Sequence, residues 1–346
     1  LLSQKLWNNF MALIFAKRHL LKSFKSWVKN PLHSALDFFT DGICLLSLIG
    51  IWLRFIETKW LQTSRLTVVL SRLKSNFNGF KLAHLSDLHL GARSSLYLLK
   101  QLQVKLEKEK PDLICFTGDL LCYSQLDYLS TLKDILVGWR RVAPVVICLG
   151  NHDYHTYVTQ RDGLPHIQSK PSPFILRAFK RLFKRRSHPL AHQCLTHYLE
   201  PDPRLLELLK SCDILCLQGQ MTEIIKEDQT LKLLGLDDLW AASLKLKSSV
   251  YKEADIILAH NPDTIDLLKE MPSSLILSGH THGGNINLPW IRKRVRSTQH
   301  PNRLAGLFLV DQHQIYINRG LSSPYPLRFL ARPELSLFTL QSPFDS

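Results

Sequence analysis

Five short motifs carry the residues of this chain whose types and spacing could do chemistry. They are HLSDLHLG (Asp87, His89), FTGDL (Asp119), LGNHD (Asn151, His152, Asp153), LAHNPD (His260) and SGHTHGG (His280, His282). A single His beside a strand is usually structural, and a single Gly-Asp usually marks a turn. Here every motif follows a short apolar run of strand character, and loops at strand ends are where an α/β scaffold positions reactive groups. Imidazoles, carboxylates and an amide oxygen suit Mn²⁺, Zn²⁺ or Fe better than Mg²⁺ or Ca²⁺, which prefer oxygen alone. Two such cations about 3.5–4 Å apart need an anion between them, and Asp119 is the residue expected to bridge. Asp87 and His89 are two apart, as are His280 and His282, so at an extended strand end each pair faces one side. Gly279, Gly283 and Gly284 let the backbone turn close to the ions. Thiolates are missing from the set, which reads as a catalytic site with open positions rather than a structural zinc site.

The elements that must position these loops are legible from residue 80 onward. Strand-like runs occur at 80–85, 112–116, 145–149, 214–217, 231–236, 256–259 and 275–278, with helical patterns at 96–108 and 126–139 between the early ones. Short apolar strands alternating with helices predict a layered α/β domain. The segments LAGLFLV, HQIYIN and ELSLFTL, within 304–341, read as paired strands. No internal repeat or low-complexity tract interrupts them.

Two segments do not belong to that rhythm. Residues 1–36 carry six Lys/Arg and no acidic residue, with aromatic and aliphatic residues interspersed, and Gly42–Leu53 follows as twelve uncharged residues. That run is short for a spanning helix and lies too far from the start for a cleaved leader. It predicts an interfacial or re-entrant anchor over 1–60, with a buried core helix as the competing reading. Residues 155–205 form a basic insertion or cap. Within it, Ser172-Pro173 starts a helix whose apolar face is Phe174, Ile175, Ala178, Phe179, Leu182 and Phe183, and whose charges are all positive. The whole chain, 346 residues with 44 Lys+Arg against 29 Asp+Glu, is at +15 with 45% apolar residues. This excludes a disordered or fibrous protein and calls for an anionic partner. The seven cysteines form no C-x-x-C pair. Cys115 and Cys148 lie within apolar strands and are read as buried and reduced.

The series D-x-H, G-D, G-N-H-D, H and G-H-x-H over residues 80–341 resembles the calcineurin-like metallophosphoesterases. That resemblance implies a four-layer αββα sandwich with a dimetal centre, Mn²⁺ being the expected ion and Zn²⁺ or Fe its alternatives. It implies that Asp87, His89, Asp119 and His282 hold one metal, and that Asp119, Asn151, His260 and His280 hold the other. His152 would contact the phosphate and Asp153 would orient His152. The segments AHNPD, GHTHGG-x-I-x-LP and YINRGLSSPYPLRFLARPELSLFTL are similar to a membrane-associated, YaeI-like branch that includes UDP-2,3-diacylglucosamine pyrophosphatases, although Asn285 stands where that branch commonly has Gln. The branch implies hydrolysis of UDP-2,3-diacylglucosamine to UMP and an acylated sugar phosphate, at the cytoplasmic face of a bacterial inner membrane, by a peripheral or monotopic enzyme whose partners are anionic lipids and the lipid-linked nucleotide. Basic clusters interleaved with Phe, Leu and Ile argue against a nucleic-acid groove. A phospholipid phosphatase, a nuclease or cyclic-nucleotide phosphodiesterase, and a non-catalytic membrane scaffold are the competing readings. Arg319, Arg328 and Arg332, and less strongly Arg93, are candidates for diphosphate contact through guanidinium forks; a local carboxylate such as Glu334 is the alternative partner.

Overall fold

The computed structural model describes residues 31–91, 94–161, 164–168, 199–242, 252–272, 274–292, 295, 297–325 and 327–343. The chain divides into two units, Leu1–Ile56 and Glu57–Ser346. In the first, helix α1 (Pro31–Ile51) runs into a π-turn at Trp52–Ile56. The stretch Phe38–Lys59, 22 residues of mean hydropathy 1.7, is long and apolar enough to cross a membrane. At 1.5 Å per residue it spans about 33 Å. The sequence expectation counted only Gly42–Leu53, because Asp41 and Arg54 bound that run. The apolar surface continues past both charges through the exposed Phe38, Phe39, Phe55 and Ile56, so length no longer argues against a span.

The second unit contains all seven expected strand runs, sorted into two sheets. The first sheet has the order β1 (Gln62–Val69), β14 (Glu334–Gln341), β2 (Lys81–Leu85), β3 (Leu113–Thr117), β4 (Val145–Cys148) and β7 (Leu215–Cys216). The second runs β12 (Gly306–Val310), β13 (His313–Ile317), β11 (Leu275–Ser278), β10 (Ile256–Leu258), β9 (Gln229–Gly235) and β8 (Gln220–Lys226). The central strands β2, β3 and β4 are mutually parallel, as are β9, β10, β11 and β13. Parallel strands covered on both faces read as continuous apolar runs, and LICFT of β3 is buried along its whole length.

Three apolar layers hold the unit together. Helices α2 (Leu96–Glu109), α3 (Leu129–Val142) and α4 (Pro203–Ser211) lay Leu98, Leu102 and Leu106, then Leu132, Leu136 and Trp139, then Leu205 and Leu209, on the Ala83, Ile114, Phe116 and Ile147 face of the first sheet. Ser95 Oγ caps α2 by accepting Leu98 N–H, and Asp202 caps α4 ahead of Pro203. Between the sheets Leu82, Cys115, Val146 and Cys148 meet Leu233, Leu258, Leu277 and Tyr316. On the far face of the second sheet Ile257, Ile276 and Ile315 are covered by Ile265, Leu268 and Met271, from a 3₁₀ segment at Pro262–Leu267 and the turn after it. Among the described residues that fourth layer is a 3₁₀ turn rather than the α-helical layer expected.

Three further expectations change. ELSLFTL does not join the hairpin made by β12 and β13; as β14 it crosses into the first sheet, parallel to β1 and antiparallel to β2. The first sheet therefore recruits β1 from residue 62, ahead of the boundary expected at 80. Within the 155–205 insertion, β5 (Tyr157–Arg161) and β6 (Leu164–Gln168) form an antiparallel hairpin. The helix expected from Ser172 lies outside the described residues.

Candidate dimetal centre

Asp87 and His89 follow β2, Asp119 follows β3, Asn151 to Asp153 follow β4, His260 follows β10, and His280 and His282 follow β11. All are buried. The loops extend the parallel ladders beyond the strands: Asp87 N–H donates to Gly118 O (3.0 Å), His89 N–H to Asp119 O (2.9 Å) and Gly279 N–H to His260 O (3.0 Å). Five of these residues have left-handed backbone: Asp87 (φ 51°), His89 (42°), Asp119 (63°), His280 (67°) and His282 (53°). Such conformations are uncommon for residues with a Cβ and collect at functional sites. Gly118, at φ 73°, cannot be replaced, since a Cβ there would come within 2.6 Å of both Gly150 and His260 Nδ1.

These side chains form three overlapping groups: Asp87, His89 and His282; His89, Asp119 and His152; Asp119, His260 and His280. Asp119 is the shared member. Its Oδ2 lies 3.2 Å from His89 Nε2 and 3.3 Å from His260 Nε2, while its Oδ1 accepts His152 N–H at 2.9 Å. His260 tests whether cations fit. Its Nδ1 lies 2.8 Å from Thr117 O, which can only accept, so Nδ1 carries the hydrogen and the neutral ring's Nε2 is a bare lone pair. That lone pair meets Asp119 Oδ2, Asn151 Oδ1 (3.2 Å) and His280 Nδ1 (3.1 Å). Asn151 Oδ1 is fixed as the acceptor end because Nδ2 donates to Val158 O at 2.6 Å. The lone pairs of Nε2, Asp119 Oδ2 and Asn151 Oδ1 point at one another and require a positive charge between them, a metal ion or a proton on Nε2. Around Asp87, both ring nitrogens of His89 and Nδ1 of His282 are buried without a hydrogen-bond partner, as is Nε2 of His280. This donor set suits two cations.

Electrostatics says the same. Burial alone would raise the Asp119 carboxyl, but the imidazoles of His260, His152 and His89 hold it well below its usual value. Burial would lower His260, yet Asp119 holds it well above its normal value, and the same contest leaves His89 pushed up to about 10. Burial drives His280 down to about 4, assisted by His260, and drives His282 well down. Burial would also raise Asp87, which is held low instead by His282 and His89. Because His282 is itself driven neutral, the anion is answered by His89 and by His280 N–H, 3.0 Å from Asp87 Oδ2.

His152 sits beside this centre, its ring against His89 (4.8 Å between centroids), Tyr123 (5.3 Å) and Tyr157 (5.1 Å, stacked). Tyr123 N–H donates to His152 Nδ1 at 2.9 Å, which leaves the hydrogen of the neutral ring on Nε2. Burial pushes this imidazole down to about 3. Asp153 does not orient the ring, contrary to expectation. Its carboxylate accepts the backbone N–H groups of Asp119 (2.7 Å), Gly150 (3.0 Å) and Leu121 (3.2 Å), and so ties the loops after β3 and β4 together. Burial and the Asp119 charge push Asp153 up to about 7 against the Gly150 and Leu121 amides.

The arginines read as substrate contacts have other partners. Arg319 pairs with Glu334 through Nε (3.1 Å) and an η nitrogen (3.0 Å), the local-carboxylate alternative. Arg328 is buried and donates to the carbonyls of Arg319, Ser322 and Ala331. Arg332 stacks over Trp60 at 4.6 Å. Arg93 lies outside the described residues. Sequence reasoning missed Tyr123, Tyr157 and Trp240, whose ring meets His280 edge-on at 4.5 Å; no motif spacing marks them, since only folding brings them to the centre.

Residues 80–284 match the calcineurin-like phosphoesterase family. The chain belongs to that family. It is a metallophosphoesterase, a hydrolase acting on phosphoester or phosphoanhydride bonds. It is 30% identical over 308 residues to the UDP-2,3-diacylglucosamine pyrophosphatase LpxG of Chlamydia muridarum, covering 84% of this chain and 92% of that protein. The Chlamydia trachomatis LpxG is similar at the same identity and coverage. The phosphodiesterase YaeI of Escherichia coli is 28% identical over 292 residues, again 84% and 92%.

Proposed function

We propose that this phosphoesterase hydrolyses the diphosphate of UDP-2,3-diacylglucosamine to UMP and 2,3-diacylglucosamine 1-phosphate, at the cytoplasmic face of a bacterial inner membrane. The observation that carries this reading is the likeness to LpxG over 92% of that protein's length. The apolar stretch Phe38–Lys59 supports it, since an acylated substrate stays at a bilayer. Asp87, His89, Asp119 and His282 would hold one divalent cation, and Asp119, Asn151, His260 and His280 the other. Mn²⁺ is the expected ion. When bound, such a pair supplies Lewis acidity to the phosphoryl oxygens and makes water a stronger nucleophile at neutral pH.

The remaining chemistry belongs to the chain. Tyr123 N–H keeps Nδ1 of His152 as an acceptor, so Nε2–H is available to donate to a phosphoryl oxygen, where charge grows as the P–O–P bond breaks. Asp119 Oδ1 holds the His152 backbone in place. Asp153 fixes the spacing of the two loops that carry Asp119 and Asn151. Burial of the whole set lowers the local dielectric and strengthens these interactions.

The test is a panel of UDP-2,3-diacylglucosamine, phospholipids, cyclic nucleotides and DNA with Mn²⁺. Wild type should release UMP from the first, and Asp119→Ala should lose both bound metal and turnover, by about 10³-fold or more. Hydrolysis of other phosphoesters without UMP release would sink the substrate assignment and leave the class intact. Full turnover by Asp119→Ala would overturn the ligand assignment.

A further inference from the structure

Two surface segments beside the metal centre each expose an apolar side chain. Residues 286–292 start directly after the His282–Asn285 turn. They run alongside residues 328–332, joined by Phe329 N–H to Asn285 O (2.8 Å), Asn287 N–H to Phe329 O (2.8 Å) and Asn287 Nδ2–H to Leu330 O (3.2 Å). The second loop is held from behind. Arg328 gathers three carbonyls, Ala331 N–H donates to Glu57 Oε1 (3.0 Å) and Arg332 covers Trp60. On this support Leu330 has φ 55° and is 46% exposed, while the next residue, Ala331, is fully buried. A bulky residue in left-handed backbone is an outlier that points to function. Trp290, in the one-turn helix Pro289–Arg292 of the neighbouring segment, is 68% exposed.

We propose that Trp290 and Leu330 form a lipid-docking face that seats the catalytic unit on a bilayer containing anionic lipid. The proposal rests on the membrane reading of Phe38–Lys59 but not on the identity of the substrate. Chain connectivity favours this occupant: the apolar stretch ends at Lys59, one residue before Trp60 and two after Glu57, both of which bind the Leu330 loop. Charge favours it too, since the sequence from Trp290 to Arg296 (WIRKRVR) has four basic residues and no acid. Trp flanked by Lys and Arg is the composition of a membrane–water interface. A second copy of the chain is a poorer occupant, because two side chains fall far short of the roughly 1,000 Å² that a stable protein interface needs. Docked this way, the turn that bears His282 would open at the headgroup layer.

The test uses the full chain with p-benzoylphenylalanine placed singly at position 290, 330 or 225, in phosphatidylethanolamine–phosphatidylglycerol vesicles. Ile225 is the control, 71% exposed on β8 at the sheet edge opposite β12. After irradiation, mass spectrometry should find lipid adducts at 290 and 330 well above those at 225. Adducts missing from 290 and 330, equal adducts at 225, or chain-to-chain adducts in their place would overturn the docking face. Adduct formation needs no turnover, so a wrong substrate assignment would leave this result unchanged.

Discussion

Replacing Asp153 with Asn separates two roles for a residue next to His152. If the amide oxygen takes the place of Oδ2, the bonds from Asp119 N–H (2.7 Å) and Gly150 N–H (3.0 Å) survive in neutral form. The NH₂ group then faces Leu121 N–H, previously bonded to Oδ1 at 3.2 Å, donor against donor. A buried unsatisfied N–H costs about 1–3 kcal/mol, so Asp153→Asn should destabilise by about that much. For a domain of this size that is a fall in Tm of about 5 °C. The measurement belongs at pH 5.5 or so, where a carboxyl pushed up to about 7 is neutral and the substitution removes no buried charge. Turnover of a soluble phosphodiester by the folded, metal-loaded variant should fall by less than about tenfold, because the His152 tautomer is set by Tyr123 N–H. Where an Asp does orient a catalytic His, the Asn variant loses about 10⁴-fold in turnover. An unchanged Tm with a loss of that size would show that Asp153 acts on His152 and that the loop-tying argument is wrong.

Tyr157→Ala removes a ring stacked on His152 and should lower kcat up to about tenfold at unchanged metal content, with Tyr157→Phe restoring it; equal losses in both variants would remove the positioning role. Arg328→Met leaves three carbonyls without their buried donor and should cost roughly 3–5 kcal/mol in denaturant unfolding with KM unchanged. A raised KM at full stability would instead place Arg328 on the substrate. His84, buried with Nε2 on Thr117 Oγ1, is pushed down to about 3 by burial against the attraction of Asp87. Between its unfolded value near 6.5 and 3, the unfolded chain binds a proton that the native state refuses, so stability falls as pH drops through that window. The loss reaches about 4–5 kcal/mol. His84→Gln should flatten the stability–pH curve between pH 6.5 and 4, and parallel curves would refute the assignment.

How much was legible in the sequence follows from what each feature depends on. Strands such as LICFT and VVIC announce themselves because both faces are buried, and the metal-site loops announce themselves because ligand types recur directly after such runs. β1 (QTSRLTVV) is polar at its start and half exposed at the sheet edge, so its pattern carries little local signal. The partner of β14 is set by packing across the whole unit and leaves no mark in its eight residues. Asp153 was misread because adjacency to His152 in the chain suggested adjacency in function, while its carboxylate turns toward three amides. Arg319 and Arg328 illustrate a related limit: a guanidinium that binds phosphate and one that binds Glu334 or backbone carbonyls look alike in sequence.

The position of β14 has a consequence for biosynthesis. Ser64 of β1 and Glu334 of β14 are 270 residues apart in sequence yet hydrogen-bonded across neighbouring strands. While the chain is being made, β1 has no partner and β2 offers an open edge, a template for mispairing and a binding site for chaperones. The same late strand brings Glu334 to Arg319, and the segment just before it supplies Leu321 and Ser322, whose amides grip the carbonyls of Ser86 and Asp87. The Asp87 loop therefore lacks these two hydrogen bonds until that segment has been made, and holds those to Gly118 and Asp119 before then. Metal loading should follow the synthesis of β14, leaving a newly made chain dependent on its surroundings for both a clean sheet edge and its ions.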